Sequence, residues 1–406
     1  MTIVDEAVRP LYAHRVSLLG TENAFKIGPY IREVEERGRR VIRCNVGEPD
    51  FPLPGHIAAE VKRRIDAGET HYVDPQGIEP LRVTIARTMS ERRGIAITPD
   101  RVVVFPGAKP PIGFSQQIYC DPGDEVIYPS PGFPIYESFT RFLGAVPVPL
   151  HLDEERGFAF DGSDLRRLIT PRTKLIILNF PSNPTGGVAS REQLEDIADV
   201  IRREAPPDVR VYSDEVYEDI LFDGAKHESI ASLPGMAERT IIVGGVSKSY
   251  AWTGGRVGWA VLPTAEEASV FRTFNINYFS CVPGYNQWGA KVALESPESA
   301  RSMAMMTAAF QERRDLVVRE LNAMPGVSCQ LPRGAFYVFP NIGRRDATEF
   351  QRRLLFDHHV ATLDRRSFGV IGSEGKEFLR ISIATSMEDL QEAMVRMRAC
   401  LEEGTR

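Results

Sequence analysis

The chain has 406 residues, of which 43% are hydrophobic and 26% are charged, and these are ordinary values for a protein that folds in water. Its net charge of −6 and its lack of a basic run argue against nucleic acid as a partner, and no apolar stretch of about 18 residues predicts a membrane span. The five cysteines are scattered without a C-x-x-C spacing and no signal peptide is recognised, so we expect reduced thiols, no metal site and a cytoplasmic location.

Strand-like apolar runs alternate with amphipathic helical segments over most of the chain. Strands are predicted at 101–105, 124–129, 174–181, 209–217, 240–247 and 258–263. Helices are predicted between the first four of these strands, near 111–120, 134–143 and 190–204. The alternation predicts an α/β fold, in which a mostly parallel sheet carries helices on both faces.

The pattern changes near residue 298. A long amphipathic helix at 299–324 is followed by two strand-like runs, GAFYVFPNI and FLRISIA, which flank a helix at 347–357. These segments predict a smaller α+β domain, and the N-terminal helix AFKIGPYIREVEERG is expected to pack with it. The expected division is an N-terminal arm and small-domain segment at 1–47, a large domain at 48–300 and a C-terminal small domain at 301–406.

Polar residues and glycines follow four of the predicted strands. They are Gly107, Ala108 and Lys109 after the first strand, Asn183 after the third, Asp214 and Tyr217 at the fourth, and Lys248 after the fifth. Ligands of open α/β sheets bind outside the carboxyl ends of the strands. We therefore expect these residues to converge on one small molecule.

Lys248 stands alone among glycines, hydroxyls and aromatic residues in the stretch GGVSKSYAWTGGRVGW. A lysine buried near other cations has a lowered pKa, and its free amine can form a Schiff base; the alternative is a surface lysine on a glycine-rich loop. Arg256 is a phosphate clamp in this interpretation, or else one half of an ordinary ion pair. The amides of Ala108 and Lys109, at a tight turn and a helix start, could face the same anion.

Two further motifs extend this site. Pro184 biases Asn183 toward an extended conformation that aims its amide into the cleft. Asp214 ends a buried strand, where a carboxylate is costly without a cationic partner, although a helix N-cap is the alternative. Together these residues describe a ligand with a phosphate, a basic ring nitrogen and an aldehyde, and pyridoxal phosphate has all three.

The chain also resembles a known family from about residue 20 to 400. The motifs that carry the resemblance are VGEPDFP, HYVDPQGIEPLR, PGAKP, PGDEVIYPSPGFPIYES, SNPTGG, SDEVYE, SKSYAWTGGRVGW, GAFYVFP and RISIATS. They closely resemble the class I/II aminotransferases of PLP fold type I, and most of all the aspartate/aromatic branch. The resemblance implies a three-layer large domain with a mostly parallel mixed sheet, a homodimer with shared active sites, and ping-pong transfer of an amino group between an L-amino acid and a 2-oxo acid in amino acid biosynthesis.

Position by position, the resemblance implies roles around the cofactor ring. Lys248 matches the lysine of the internal aldimine, which also carries the reacting proton. Asp214 matches the carboxylate on the pyridine nitrogen, where it keeps the ring able to accept electrons. Asn183 and Tyr217 match the pair that hydrogen-bonds the phenolic oxygen, and Phe133 matches the aromatic residue that stacks on the ring.

The resemblance also implies a phosphate site. Arg256, Ser247 and the turn at 107–109 match the residues that hold the cofactor phosphate in this family. Tyr72 matches a phosphate ligand that the neighbouring subunit donates. The homodimer is therefore expected to complete each active site.

At the substrate end, Arg380 matches the arginine that grips the α-carboxylate, next to Asn183 and the backbone of Gly47. The side chain of the substrate is left open. In aspartate-specific relatives the lysine equivalent to Lys109 meets a distal carboxylate, whereas Glu22 stands where those relatives carry a hydroxyl and would repel such a group. The alternative is that Lys109 serves only the phosphate loop and Glu22 is solvated.

Departures from the family pattern concern four residues. Gly245 and Gly255 stand where relatives often carry a serine and a tryptophan, and they are expected to leave extra room beside the cofactor. Arg365 and Arg366 replace a Pro-Gly turn of close relatives, and they are expected to place two charges near the substrate entrance.

Two other functions are weighed against amino transfer. Fold type I also hosts lyases, decarboxylases and oxidases, and the same lysine and arginine suit those reactions. A non-catalytic regulatory module that holds the cofactor is the other alternative. The absence of a basic helix-turn-helix extension, and the complete set of Lys248, Asp214 and Arg380, count against such a module.

Overall fold

The structure is a computed structural model and describes residues 11–20, 22–369, 371 and 375–403. Its helices are α1 (Asn23–Lys26), α2 (Gly28–Glu36), α3 (Gly55–Asp66), α4 (Glu79–Arg93), α5 (Pro110–Tyr119), α6 (Ile135–Phe142), α7 (Gly162–Arg166), α8 (Arg191–Glu204), α9 (Val246–Ser249), α10 (Ala265–Phe279), α11 (Gly284–Glu295), α12 (Pro297–Asn322), α13 (Ala347–Phe356) and α14 (Met387–Glu403). Its strands are β1 (Ile42–Arg43), β2 (Val102–Phe105), β3 (Glu125–Ser130), β4 (Val146–His151), β5 (Thr173–Asn179), β6 (Arg210–Asp214), β7 (Thr240–Gly245), β8 (Gly258–Val261), β9 (Tyr337–Val338), β10 (Val360–Ala361), β11 (Leu363–Asp364) and β12 (Leu379–Ser382). Within these described ranges, no helix is both long enough and apolar enough to cross a membrane.

The central sheet has seven strands in the order β2-β8-β7-β6-β5-β3-β4. The strands from β7 to β4 in this order run parallel, whereas β8 is antiparallel to both of its neighbours. The register pairs Asn179 with Asp214, and Asp214 with Val243, at the carboxyl ends of β5, β6 and β7. The sheet confirms the predicted α/β fold with a mostly parallel mixed sheet.

Alternate residues of the central strands enter two hydrophobic cores, one on each face of the sheet. In β5, Ile176 and Leu178 belong to one core, whereas Leu175 and Ile177 belong to the other. The buried apolar side of α8 covers the first face, and a capping box at Ser190 closes the N-terminus of this helix. Both faces are therefore dry, which leaves the ends of the strands as the place where polar groups can gather.

The N- and C-terminal segments pack together beside this sheet. Strands β11, β12 and β9 form an antiparallel sheet that shares a core with α12 and α14. From the N-terminal side, Ile31 and Val34 of α2 pack against Leu355 and Ala361, and β1 pairs in parallel with β10. The first ten residues of the predicted arm lie outside the described residues. The division into segments 1–47, 48–300 and 301–406 stays a prediction.

Candidate active site

A pocket of about 550 Å³ opens at the carboxyl ends of β5, β6 and β7. Most of the residues that the sequence singled out line this pocket, namely Gly47, Ala108, Lys109, Phe133, Asn183, Asp214, Tyr217, Ser247, Lys248, Arg256 and Arg380. Gly107 lies beside the pocket, against the guanidinium of Arg256. Tyr72 is not part of the lining, and 88% of its surface is exposed.

Lys248 lies in the short helix α9, directly after β7, and its side chain reaches the pocket. Its Nζ donates a hydrogen bond of 2.6 Å to the carbonyl oxygen of Gly47. Burial lowers the pKa of Lys248 to about 8; Glu22 opposes this change, and the positive charges of Arg380 and Arg256 add to it. The interpretation as an ordinary surface lysine is wrong, because the side chain lines the pocket and its amine bonds the backbone of Gly47 there.

Asp214 is the last residue of β6 and faces the pocket from its floor. The hydroxyl of Tyr136 donates a hydrogen bond of 2.6 Å to its Oδ2, while its buried Oδ1 has no hydrogen-bond partner among the described residues. Burial raises the pKa of Asp214 to about 6, although the bond from Tyr136 opposes the change. Turns rather than a helix follow β6, so the N-cap interpretation of Asp214 is wrong.

Two asparagines connect the end of β5 to Asp214 of β6 and to Arg380 within the pocket. The Oδ1 of Asn179 accepts a hydrogen bond of 2.9 Å from the backbone N–H of Asn183, and its Nδ2 donates to the carbonyl oxygen of Asp214 at 3.2 Å. The Oδ1 of Asn183 in turn accepts a bond of 3.0 Å from Nη1 of Arg380. Sequence reasoning missed Asn179, although its place at the end of a buried apolar strand was a usable signal.

Arg380 comes from β12 and is almost fully buried. Its Nη2 donates a hydrogen bond of 2.5 Å to the carbonyl oxygen of Asn45, and its guanidinium lies 4.4 Å and 4.9 Å from the ring centres of Tyr337 and Phe368. Within the part of the chain that the structure describes, its Nε has no hydrogen-bond partner. A buried guanidinium with an unused donor is suited to binding an anion that enters the pocket.

Tyr217, which follows β6 of the central sheet, and Tyr337 of β9 contact each other in the lining of the pocket. Their hydroxyls share a hydrogen bond of 2.9 Å. A Cβ added to Gly47 would overlap the hydroxyl of Tyr337, so the backbone of Gly47 can approach this closely only without a side chain. Tyr337 and Tyr136 are further pocket residues that the sequence did not single out, although both lie inside motifs that it quoted.

Arg256 is a further basic group of the pocket, and it has a left-handed backbone with φ of 49°. Its Nη1 donates to the carbonyl oxygen of Thr253 at 2.7 Å, and its Nη2 donates to that of Pro106 at 3.2 Å. Gly107 has φ of +90°, and a Cβ there would overlap the guanidinium. The arginine is therefore fixed against the turn that precedes α5. Pro110 and Pro111 begin this helix and have no backbone N–H, so the amides of Ala108 and Lys109 in the turn are the backbone donors nearest to an anion held there.

Gly245 and Gly255 do not leave the extra room that was expected beside the cofactor. A Cβ on Gly245 would lie 3.2 Å from Cα of Gly258 and from the carbonyl oxygen of Val257, so the neighbouring strand already fills this space. A Cβ on Gly255 would overlap the indole ring of Trp252. Both glycines are thus sites of close packing, and the expectation of a wider pocket is wrong.

Three charged residues considered from the sequence differ in their positions. Glu22 lines the pocket and forms an ion pair with Lys109, so the interpretation of Glu22 as a solvated residue is wrong. Arg365 and Arg366 are not among the lining residues, and Arg365 lies 3.6 Å from Glu377. The two arginines therefore add no charge to the wall of the pocket.

Behind the pocket, a buried ion-pair cluster holds the segment that follows Asp214. Arg93 of α4 pairs with Glu215 and lies 2.6 Å from Glu218, and His227 lies 3.0 Å from Glu215. Burial alone would raise the pKa of Glu215, but Arg93 and His227 lower it below its usual range. The three residues other than Arg93 are close enough to surround a cation, but Arg93 already supplies positive charge there.

The fold is that of an α/β protein, and its pocket brings a lysine amine, a buried carboxylate and two guanidinium groups together at the ends of the parallel strands. The family model described as "Aminotransferase class I and II" matches residues 39–397, and the chain belongs to this family. The protein is therefore an aminotransferase, and members of this family generally depend on pyridoxal phosphate. This assignment favours amino transfer over the other reactions and over the non-catalytic module considered from the sequence.

The relatives are similar over almost their whole length. The aspartate aminotransferase of Pyrococcus abyssi is 37% identical over 368 residues, which cover 89% of this chain and 92% of the relative. The aspartate/prephenate aminotransferase of Cereibacter sphaeroides is 37% identical over 381 residues, covering 91% and 93%. The crystal structure of the aspartate aminotransferase from Rhizobium meliloti superposes with a TM-score of 0.90 at 35% identity, covering 96% of this chain and 98% of that one.

Proposed function

We propose that the chain binds pyridoxal 5′-phosphate in this pocket and moves amino groups between an L-amino acid and a 2-oxo acid in a ping-pong cycle. The observation that carries the proposal is the pairing of two groups across one pocket. Lys248 offers an amine with a pKa lowered to about 8, and Asp214 offers a buried carboxylate oxygen without a partner. The two groups suit an aldehyde and a ring N–H of the same ligand.

The residues of the pocket fit this cofactor at its ring. When bound, pyridoxal phosphate supplies an aldehyde that can take the amino group and a ring that can accept electrons. The free Oδ1 of Asp214 would accept the ring N–H and hold its proton, while Tyr136 keeps the other oxygen of this carboxylate in place. Asn183 and Tyr217 would hydrogen-bond the phenolic oxygen, and Phe133 would pack against the ring.

The phosphate would lie at the turn before α5. Arg256 supplies the positive charge, and the backbone of Gly107 allows its guanidinium to come close. The amides of Ala108 and Lys109 and the hydroxyl of Ser247 would supply further hydrogen bonds. A helix N-terminus and a guanidinium together favour an anion at one fixed position.

The substrate would bind on the other side of the cofactor. Arg380 would hold the α-carboxylate through the donor that has no partner within the protein, next to Asn183 and the backbone of Gly47. Lys248 would move the proton at the Cα of the substrate, which its lowered pKa supports. The same residues serve both half-reactions, because the 2-oxo acid carries the same carboxylate as the amino acid.

We further infer that the enzyme is a homodimer whose subunits share residues, and that it works in the cytoplasm in amino acid biosynthesis. Tyr72 lies outside its own pocket with 88% of its surface exposed, which supports a role for its hydroxyl at the phosphate of a partner. The exposed apolar side chains Ile276, Tyr278 and Phe279 at the end of α10 support a covered interface as well.

The spectrum of the purified protein tests the proposed function. We expect a visible absorbance band from the bound cofactor, borohydride attachment of the cofactor to Lys248, and loss of the band when an amino acid is added. Lys248→Ala should lower the rate of amino transfer by at least about 10²-fold, because both covalent attachment and proton transfer need this amine. The exposed Lys62 offers a matched control, and Lys62→Ala should behave as wild type. A Lys248→Ala enzyme with the wild-type rate would refute the proposal.

A further inference from the structure

The pocket contains a charged pair that the proposed reaction does not use. The Nζ of Lys109 pairs with a carboxylate oxygen of Glu22, and both residues line the pocket. The side chain of Glu22 is 17% exposed and that of Lys109 is 46% exposed, so the carboxylate is the more enclosed partner. The pair lies in the lining of the pocket, with an enclosed carboxylate and an exposed ammonium, so it can act on a molecule that enters the pocket.

The surroundings of Glu22 place the pair on the substrate side. The negative charge of Glu22 acts to raise the pKa of Lys248, and it acts in the same direction on the pKa values of Arg380 and Tyr337. Glu22 lines the same pocket as Lys248, the reactive amine, and Arg380, the guanidinium proposed for the α-carboxylate. An amino acid bound between these two groups would direct its side chain into the same region.

The remaining walls of this region are apolar. The Nζ of Lys109 lies 5.9 Å from the ring centre of Phe25 and 5.8 Å from that of Phe133. Ala24 and Ile112 also line the pocket. An apolar or aromatic substrate side chain would gain contact with these walls without losing any hydrogen bond.

A free lysine among these walls would attract a second carboxylate on the substrate. Here Glu22 already neutralises the ammonium of Lys109, so a distal carboxylate would have to displace Glu22 or lie beside its negative charge. Like charges placed side by side in an enclosed site discriminate strongly against the wrong ligand. Glu22 therefore competes with the distal carboxylate of a dicarboxylic substrate for the ammonium of Lys109.

We propose that Glu22 determines the substrate class of this aminotransferase: by occupying Lys109 it excludes dicarboxylic amino acids and selects amino acids with uncharged, largely apolar side chains. The proposal rests on the proposed function, because it assumes that the substrate binds between Lys248 and Arg380. It concerns selectivity alone, so its failure would leave amino transfer itself intact.

The test compares kcat/KM for L-phenylalanine and L-aspartate in the cofactor-loaded enzyme. In wild type, kcat/KM for L-phenylalanine should exceed kcat/KM for L-aspartate by about tenfold or more. Glu22→Gln should raise the ratio of kcat/KM for L-aspartate to kcat/KM for L-phenylalanine by about tenfold or more, because it frees the ammonium of Lys109. The double variant Glu22→Gln/Lys109→Gln should lose this gain.

A binding measurement adds a readout that does not depend on turnover. By calorimetry, wild type should bind 3-phenylpropanoate more tightly than succinate, and Glu22→Gln should bind succinate about tenfold more tightly than wild type. The control is Glu33→Gln, which breaks the exposed Glu33–Arg37 pair of α2, outside the lining of the pocket. This variant should leave unchanged both the ratio of kcat/KM for the two amino acids and the ratio of affinities for the two carboxylic acids.

Two results would overturn the assignment of Glu22 and leave the proposed function standing. One is a wild-type enzyme that prefers L-aspartate and succinate, and the other is a Glu22→Gln variant with an unchanged ratio. If Glu22→Gln does not fold, the wild-type ratios alone decide. A wild-type enzyme that reacts with no amino acid of either kind would overturn the proposed function as well.

Discussion

At the scale of single residues, burial sets the chemistry of the pocket more than neighbouring charges do. Burial is the largest cause of both the lowered pKa of Lys248 and the raised pKa of Asp214. The effect has opposite directions because burial disfavours the charged form of each group. A hydrogen bond from Tyr136 to Asp214 and the charge of Glu22 near Lys248 then limit both changes.

The lowered pKa of Lys248 predicts a specific pH dependence in the cofactor-free protein. The amine is protonated below its pKa of about 8 and free above it, so the rate of covalent capture of pyridoxal should rise with pH and level off above about 8. Stopped-flow absorbance across about pH 6 to 12, a range that includes both the lowered pKa and the ordinary lysine pKa of about 10.4, measures the midpoint.

Replacing Glu22 should shift the midpoint of this pH dependence in a direction that can be measured. Because the charge of Glu22 raises the pKa of Lys248, Glu22→Gln should move the midpoint to lower pH. A midpoint near 10, the ordinary value for a solvated lysine, would contradict the burial of this amine. Glu33→Gln serves again as the control, with an unchanged midpoint expected.

At the scale of elements, apolar runs bounded by turns were predictable and weakly patterned segments were not. The predicted strands correspond to β2, β3, β5, β6, β7 and β8, with ends that differ by a few residues. The edge strand β4 was missed because Pro147 and Pro149 interrupt its apolar run, as prolines do at sheet edges. Helices α3, α4, α10 and α11 were among those not predicted. In α11, Gly289 lets the helix approach Val61 of α3 and the ring of Trp252.

Gly255 provides a stability test at this scale. Gly255→Ala should destabilise the protein by about 1–3 kcal/mol, because the new methyl group would overlap the indole of Trp252. The adjacent Gly254 is the matched control, since a Cβ there would have no neighbour within 4 Å. The thermal midpoint of the cofactor-free protein should fall in Gly255→Ala and stay near wild type in Gly254→Ala. Equal midpoints would show that Trp252 moves aside without cost.

At the scale of the whole molecule, the pocket is assembled from segments far apart in the chain. The guanidinium of Arg380 contacts both Asn45 and Asn183, which lie 335 and 197 positions away in the sequence. The N- and C-terminal segments therefore have to pack on the large sheet before the substrate side of the pocket exists. The proposed dimer would extend this dependence to a second chain.

Mixed dimers test whether Tyr72 acts in the partner's site. A heterodimer of one Tyr72→Ala chain and one Lys248→Ala chain, isolated with two affinity tags, contains one site with both residues if Tyr72 crosses the interface. At limiting cofactor we expect it to recover about half the activity of the wild-type dimer, well above either parent. Activity no higher than that of the Tyr72→Ala parent would place Tyr72 in its own subunit's site, and a monomer in ultracentrifugation would refute the dimer.

The sequence by itself determined the sheet and the residues at its edge. Parallel strands end on one side, so Asn183, Asp214 and Lys248 could be brought together from strand positions and turn residues alone. Only the tertiary structure decided what each side chain touches. The sequence could not pair Lys109 with Glu22, 87 residues away, or Tyr136 with Asp214, 78 residues away, because contacts at such separations depend on how elements pack rather than on any local pattern. For the same physical reason, Trp252 turned out to fill the space that Gly255 seemed to leave open.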